Sequence, residues 1–303
     1  MTKKNKGASA EVLNGNVLDQ IKRAAVVAMF ADDELMDTLV LKGGNAMDLI
    51  HRVSSRASVD LDFSMQADLD YEATLPRLEK ALTSTFAAHG YRAFDIKLNV
   101  RPGQMPDELS KFWGGYLVEF KLISQNRAKE IGENLEQMRR EAINLGEGPK
   151  FTIDISRHEY VGDKESHDLD GYTIYVYSPL MIVGEKLRAI CQQMPAYGQV
   201  IHRSKPGTQR ARDFVDIEAL VRHFSLDMAS EKALSMIRQI FESKRVPLAF
   251  LKDIGTQSTR DFHAIGFDSV IATMRPGVYV EPFDFYFEFV NSLASKLKSL
   301  WDV

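Results

Sequence analysis

The stretch Thr38-Leu-Val-Leu-Lys-Gly-Gly-Asn-Ala-Met-Asp-Leu-Ile-His-Arg-Val-Ser-Ser-Arg-Ala-Ser-Val-Asp-Leu-Asp-Phe63 decides the fold of this 303-residue chain. It runs from an apolar segment through the pair Gly43-Gly44 to the triplet Asp60-Leu-Asp62. Side chains alternate faces along a strand, so a strand over residues 58–63 places both carboxylates on one face and its apolar residues on the other. We therefore predict a strand over 38–41, a glycine turn, a short helix and a second strand that carries two like charges.

A later strand-like segment, Phe151-Thr-Ile-Asp-Ile-Ser156, has the same alternation as residues 58–63 and puts Asp154 on its polar face. If this strand lies beside that of Asp60 and Asp62, three carboxylates converge, and their pKa values rise unless a cation is present. A hard divalent cation takes oxygen ligands and also binds phosphate oxygens. Two such ions about 4 Å apart support phosphoryl or nucleotidyl transfer. The alternative is that Asp60 or Asp62 simply pairs with Arg52 or Arg56.

The pair Gly43-Gly44 ends the first predicted strand and opens a helix. Glycine lets the backbone approach a phosphate closely, and the amides at a helix N-terminus point at the anion. Such pairs also serve as ordinary turns. The short helix that links this pair to the acidic triplet favours the phosphate interpretation.

Composition sets broad limits on function. Apolar residues make up 45% and charged residues 26%, as in soluble globular proteins. A net charge of -4 argues against nonspecific coating of nucleic acid but allows a local basic cleft. The single cysteine, Cys191, excludes an intrachain disulfide and predicts helix packing. No signal-peptide core and no run of about 18 apolar residues is present, which predicts a cytoplasmic protein without a membrane span.

The character of the chain changes at Ser178-Pro179, where serine can cap a helix and proline can occupy its first turn. Before this point the pattern predicts helices over 11–30 and 70–89. It also predicts strands over 93–100, 116–124, 151–156 and 172–177, with a charged helix or flap over 126–145. After it, helical periodicity dominates, over 180–193, 212–224, 230–243 and 282–300. We predict a first domain over 1–177 and a helical domain over 178–303.

These motifs resemble those of the nucleotidyltransferase-fold superfamily. More narrowly, Lys42-Gly-Gly-Asn-Ala46 followed by Arg56-x-Ser58-x-Asp60-Leu-Asp-Phe63 is similar to the AbiEii/AbiGii toxin family. Two later segments continue the resemblance, Gly184-Glu-Lys-Leu-Arg-Ala-Ile190 and Arg210-Ala-Arg-Asp-Phe-Val-Asp-Ile217. The resemblance implies an α+β fold, in which a nucleotidyltransferase-fold mixed β-sheet domain precedes a C-terminal helical domain.

The resemblance also implies roles for the residues around the acidic triplet. Asp60, Asp62 and Asp154 would bind Mg²⁺, and Asp154 would also help to deprotonate the acceptor hydroxyl. Gly43 and Gly44 would bind the nucleotide by surrounding its triphosphate. Arg56 and Ser58, also assigned to nucleotide binding, would support the strand or contact phosphate.

One position departs from the family pattern, because Asn45 stands where the family often has threonine. Its amide can still donate a hydrogen bond to phosphate, so Asn45 stays among the predicted nucleotide-binding residues.

Lys186 shares a helix stripe with Ile182 and Ile190, so its amine either extends out of the interface or reaches a buried anion. The family has a lysine here, which favours the triphosphate and a catalytic role. Asp213 and Asp216 lie three residues apart, on one helical face. They either cap and pair locally, or orient Lys186 or a nearby arginine and meet the nucleotide.

The segment 195–212 is basic and almost free of acidic residues. With its tyrosine it could contact an RNA backbone and stack a base, or it could be a solvated connector. We predict that acceptor binding uses the basic residues of this segment, Arg203, Lys205, Arg210 and Arg212.

The sequence thus predicts a metal-dependent nucleotidyltransferase toxin of a toxin–antitoxin or phage-defence system. It would transfer a nucleoside monophosphate from an NTP, with Mg²⁺ as cofactor, to an acceptor hydroxyl, by family analogy a tRNA 3′ end. A cognate antitoxin is a further expected partner. Two alternatives remain: nucleotidylation of a small molecule or protein, and a degenerate nucleotide-binding protein without activity.

Overall fold

The computed structural model describes residues 15–53, 60–144, 148–275 and 277–302. Its strands form one mixed sheet in the order β3-β4-β5-β2-β1-β7-β6. They are β1 (Val40–Lys42), β2 (Leu61–Ser64), β3 (Tyr91–Arg101), β4 (Gly115–Ser124), β5 (Phe151–Ser156), β6 (Glu165–Leu169) and β7 (Tyr172–Val176). β1 pairs antiparallel with β2 and parallel with β7, and β2 pairs parallel with β5. The two strands predicted to carry the carboxylates are therefore neighbours.

Helices surround this sheet and make up the chain after β7. They are α1 (Gly15–Phe30), α2 (Asp33–Thr38), α3 (Gly43–Asn45), α4 (Tyr71–Ala88), α5 (Asp107–Ser110), α6 (Gln125–Ile131), α7 (Leu135–Arg140), α8 (Pro179–Cys191), α9 (Pro195–Val200), α10 (Ala211–His223), α11 (Glu231–Ser243), α12 (Gln257–Ala264), α13 (Phe267–Ile271) and α14 (Phe283–Lys296). A π-helical turn (Ala46–Ile50) follows α3, and 3-10 segments cover Leu248–Gly255 and Lys298–Leu300.

Local chemistry explains where the elements that carry the site begin and end. β1 begins at Val40 rather than at the predicted Thr38, because Thr38 ends α2 and its hydroxyl donates to the carbonyl of Glu34. Ser178 caps α8 by accepting a hydrogen bond from the Met181 amide, with Pro179 in the first turn, as the sequence predicts.

The main hydrophobic core is continuous from the sheet into the helices, with Phe63, Ile153, Leu187 and Phe214 among its buried members. No strand of the described chain follows Val176, and the predicted boundary at 178 stays a prediction. Cys191 is fully buried on α8, as predicted.

A second, smaller core lies under the charged segment that follows β4. There α6 and α7 bury Ala128 and Met138 against Phe94 and Ile123. The segment predicted over 126–145 as a charged helix or flap is therefore a pair of short packed helices over its described part. No helix in the described part of the chain is long and apolar enough to cross a bilayer.

Candidate active site

A cation and two carboxylates form one row across the middle of the sheet. Lys42 on β1 is in register with Asp62 on β2, and Asp62 is in register with Asp154 on β5. Residues directly opposite each other in a sheet share a face, so the three side chains leave the sheet on the same side. The alternation along β5, with Ile153 and Ile155 buried and Asp154 exposed, is the predicted one.

Asp60 lies one residue before β2 and is exposed. Its backbone carbonyl accepts a hydrogen bond from the side-chain amide of Asn45, which is fully buried. Asn45 does not line the cavities described below, and its observed contact is to the chain rather than to open space. Its contact therefore positions the backbone of the acidic triplet.

Gly43 brings the turn between β1 and α3 directly against Asp62. Its φ of +69° lies in the left-handed region, which favours glycine. A Cβ at this position would lie 2.7 Å from Oδ2 of Asp62, closer than van der Waals contact allows. Glycine at 43 is thus required both by the backbone conformation and by the neighbouring carboxylate.

Burial and neighbouring charges both shift the pKa values of the carboxylates. Burial raises the pKa of Asp62 to about 6, and the negative charges of Glu185, Asp154 and Asp60 add to this against the opposing effect of Lys42. Although the side chain of Asp154 is exposed, loss of hydration against the surrounding protein also raises its pKa, and Asp60 adds to this against the cations Arg101 and Lys42. An all-oxygen donor set that resists ionisation in this way fits a hard divalent cation.

Lys186 is buried on α8 and forms two ion pairs with α10. Its Nζ lies 2.9 Å from Oδ1 of Asp213 and 2.7 Å from Oδ2 of Asp216. Burial alone lowers the pKa of Lys186, but the two carboxylates outweigh it and leave the pKa raised. Asp213 also accepts a 2.5 Å hydrogen bond from Nε of Arg210, so these four residues form one charged cluster.

A cavity of about 510 Å³ lies between the sheet and the helices beside this cluster. Its wall contains the glycine turn, two of the carboxylates and the first turn of α10, with lining residues that include Gly43, Gly44, Asp60, Asp62, Lys186, Arg210, Arg212 and Asp213. We call it the first cavity. It brings together eight of the residues that the sequence assigns to catalysis or binding.

A second cavity of about 330 Å³ lies beside the first. It is lined by Asp154 and by cationic and aromatic side chains, which include Arg101, Trp113, Tyr116, Arg188 and Lys244. Lys42, Glu185 and Arg210 line both cavities, so the two are adjacent. Asp60 and Asp62 thus line one space, and Asp154 lines the adjacent one.

A buried ionic network in the wall of the second cavity was not predicted from the sequence. Glu159 is 5% exposed, and its carboxylate lies 2.9 Å from Arg188, 3.4 Å from Lys244 and 3.7 Å from Lys42. Burial acts to raise the pKa of Glu159, but the three cations outweigh it and lower the pKa to about 2. Glu185 lies 3.8 Å from Lys42 and 3.4 Å from Arg188. The network ties the cation of the carboxylate row to helix α8.

The predicted acceptor-binding residues divide between different places. Arg210 and Arg212 line the first cavity, but Arg203 and Lys205 line a separate cavity with Met194 and Phe262. The guanidinium of Arg203 donates to the backbone carbonyls of residues 192–194, which holds the turn after α9 against the end of α8. The predicted residues Arg56 and Ser58 lie outside the described part of the chain.

Two solved structures resemble the chain across most of its length, both from Helicobacter pylori. One is a protein proposed to be a nucleotidyltransferase, at 18% identity and a TM-score of 0.46, covering 95% of this chain and 97% of that chain. The other is JHP933, at 18% identity and a TM-score of 0.45, with 95% and 94% covered. No curated protein matches the chain.

The family of the chain follows from a match to a family model and not from these structural likenesses. The model of the family described as nucleotidyl transferase AbiEii toxin, Type IV TA system, matches residues 25–288. This range contains the glycine turn, the three carboxylates and the charged cluster around Lys186. The chain therefore belongs to the AbiEii nucleotidyltransferase toxin family and is a nucleotidyltransferase.

Proposed function

We propose that the protein transfers a nucleoside monophosphate from an NTP to a hydroxyl at the 3′ end of an RNA, tRNA in the first instance. The observation that carries the proposal is the row of carboxylates at the border of two cavities. The first cavity, with Gly43, Gly44, Arg210 and Arg212 in its wall, suits a triphosphate, so in this proposal the two arginines bind the nucleotide rather than the acceptor. The second, with cationic and aromatic walls, suits the end of a nucleic acid strand.

In this proposal the acceptor hydroxyl oxygen attacks the α-phosphorus of the NTP. A new P–O bond forms, the bond from the α-phosphorus to the bridging oxygen breaks, and pyrophosphate leaves with that electron pair. Asp154 lines the second cavity and takes the proton of the acceptor hydroxyl. Asp60, Asp62 and Asp154 would bind Mg²⁺, which when bound supplies charge neutralisation at the phosphates.

Lys186 and Arg210 are held in place in the wall of the first cavity. Asp213 and Asp216 fix the ammonium group of Lys186, and Asp213 fixes the guanidinium of Arg210. Fixed cations lose little conformational entropy when they bind phosphate, which favours a defined orientation of the triphosphate. As a toxin of this family the protein would act on the RNA of the cytoplasm, with its activity countered by a cognate antitoxin.

The proposal is tested by incubating the full chain with each α-³²P-labelled NTP, Mg²⁺ and total RNA. We expect label in tRNA with the wild type and none with Asp62→Asn or Asp154→Asn. Periodate oxidation of the tRNA removes the 3′ hydroxyls and should abolish labelling, with untreated tRNA as the matched control.

One outcome would contradict the RNA acceptor, and another would contradict the role of the carboxylates. Label that survives periodate oxidation, or that appears in protein or a small molecule instead, would move the acceptor to another class. Label that is equal in the wild type and in Asp62→Asn would remove the carboxylate site from the reaction. Growth arrest on induction, relieved by Asp62→Asn, is the corresponding expectation in cells.

A further inference from the structure

Away from the carboxylate row, two histidines and a glutamate meet at the outer end of the sheet. His51 directly follows the π-helical turn, while Glu165 and His167 lie two residues apart on the edge strand β6. The possible ligand atoms of the three side chains all lie within 4.8 Å of one another. None of the three lines the first or the second cavity, so this group is separate from the proposed nucleotide site. We refer to it as the histidine cluster.

The strand geometry explains why two of these residues point the same way. Residues two apart on a strand share a face, and Nε2 of His167 lies 3.3 Å from a carboxylate oxygen of Glu165. The ring of His51 approaches that of His167 edge-on, with centroids 5.7 Å apart and an interplanar angle of 89°. The two rings therefore meet at the cluster from two different parts of the fold.

The hydrogen bond of His51 fixes its tautomer. Its Nε2 lies 2.8 Å from the carbonyl oxygen of Tyr177, which can only accept, so Nε2 carries the proton and donates. Nδ1 then keeps its lone pair. Histidines that bind metals commonly donate their other ring N–H to a backbone carbonyl, which fixes both the tautomer and the ring plane. The ring of Phe224, with its centroid 5.9 Å from that of His51, further confines it.

We propose that His51, Glu165 and His167 bind one transition-metal ion of the Zn²⁺ class. Two imidazoles and one carboxylate select Zn²⁺ and similar borderline ions, whereas Mg²⁺ prefers an all-oxygen set. Ligand atoms about 2.0–2.1 Å from a tetrahedral ion lie roughly 3.3 Å apart, which is already the separation of His167 and Glu165, so the atoms of His51 must approach them by at most about 1.5 Å. Glu165 is exposed and both histidines are partly exposed, which leaves room for this movement.

The bound ion would join two elements that lie far apart in the sequence. His51 ends the helical segment that starts at the glycine turn, and β6 belongs to the outer hairpin of the sheet. An ion that binds the folded chain but not the unfolded chain raises stability according to its concentration and Kd. The expected signature is a Zn²⁺-dependent rise in the melting temperature.

Calorimetric titration of the EDTA-treated full chain with ZnCl₂ tests the proposal, with Asp62→Asn as the background that weakens the carboxylate site. We expect one Zn²⁺ per chain in Asp62→Asn. We expect at least about a tenfold weaker affinity when His167→Gln or Glu165→Gln is added to it. His202→Gln, which removes an exposed histidine outside the cluster, is the matched control and should leave the affinity unchanged.

Two results would overturn the proposal: no stoichiometric Zn²⁺ in the Asp62→Asn background, or unchanged affinity when His167→Gln and Glu165→Gln are each added to it. Because Glu165 is exposed and lies on an edge strand, Glu165→Gln should keep the fold, and the melting temperature in EDTA checks this. Zn²⁺ should raise the melting temperature of the background but not of the variants that lack a cluster ligand. These readouts need no RNA or NTP, so they are independent of the proposed nucleotidyl transfer.

Discussion

At the scale of single residues, the site depends on the contact between Gly43 and Asp62. Gly43→Ala would force a side chain into a left-handed backbone conformation and place its Cβ 2.7 Å from Oδ2 of Asp62. We expect a loss of about 1–2 kcal/mol of stability from the strain. Displacement of the carboxylate by roughly 1 Å should also reduce nucleotidyl transfer by about 100-fold. Urea denaturation and initial rates of labelling measure the two effects.

Gly90→Ala is the matched control for this prediction. Gly90 has a φ of +82°, but a Cβ there would meet nothing within 4 Å. It should therefore lose a similar amount of stability and keep its transfer rate. If Gly43→Ala and Gly90→Ala reduce the rate equally, the close approach to Asp62 has no part in activity.

The raised pKa of Asp62 predicts a pH-dependent stability of the metal-free protein. Because the folded-state pKa is about 6 and the ordinary value 3.8, folding binds a proton between these values. The free energy of unfolding therefore falls as pH rises from about 4 to about 6 and stays reduced above it. Asp62→Asn should then stabilise the metal-free protein by about 1–3 kcal/mol at pH 8 and by little at pH 4.

Urea denaturation in EDTA at the two pH values measures this difference. Asp60→Asn, which changes an exposed carboxylate of the same triplet, is the control and should give a smaller effect at pH 8. Adding Mg²⁺ should stabilise the wild type more than Asp62→Asn. Equal stability of the wild type and Asp62→Asn at pH 8 without metal would contradict the argument.

Sequence reasoning at this scale finds residues whose spacing has a chemical meaning. The register of Asp62 with Asp154 follows from two alternating strands that the sequence identifies separately. The burial of Asn45 does not follow, because the backbone carbonyl that its amide reaches lies 15 residues further along the chain. A hydrogen bond to a backbone group leaves no pattern of residue types.

At the scale of elements, the buried network around Glu159 connects the sheet to the helices. Glu159 follows β5, Arg188 belongs to α8 and Lys244 follows α11. Glu159→Gln would leave these two cations and Lys42 short of one buried negative charge, and we expect a loss of about 3–5 kcal/mol in the free energy of unfolding. Glu108→Gln, at an exposed carboxylate paired with His202, should change it by less than about 1 kcal/mol.

Chemical denaturation of both variants at pH 7 makes the comparison. A loss for Glu159→Gln no larger than that for Glu108→Gln would mean that the network contributes little to stability. Burial lowers the pKa of Lys244 to about 8, so the charged form of this lysine is only weakly favoured in the network at pH 7. Replacing Lys244 by a neutral residue should therefore lower the free energy of unfolding less than Glu159→Gln does.

Elements with an apolar rhythm are predictable, and elements without one are not. The strands β5 and β7 and the helix α8 were identified because their buried residues recur with period 2 or 3.6. β6 was missed, since it is an edge strand whose residues are mostly polar and only Leu169 is buried. The Glu159 network was missed because its members are spread from Lys42 to Lys244 with no repeating spacing.

At the scale of the whole molecule, the two adjacent cavities predict a division between nucleotide and acceptor. Arg212 is exposed and lines the first cavity, whereas Arg101 is exposed and lines the second. Arg212→Ala should weaken NTP binding by roughly tenfold, the size of one lost charge-assisted contact, and leave the KM for the acceptor RNA unchanged. Arg101→Ala should raise the KM for the acceptor by a similar factor and leave NTP binding unchanged.

The division follows from where the carboxylates lie. Asp60 and Asp62 line the first cavity and Asp154 lines the second, so a phosphorus atom at the border of the two cavities would face both of them. In-line displacement needs this arrangement, because the attacking oxygen and the leaving pyrophosphate occupy opposite sides of the phosphorus. Calorimetric NTP titration and labelling at varied RNA concentration separate the two parameters. If both variants change the same parameter, the two cavities are parts of one binding site and the acceptor must enter elsewhere.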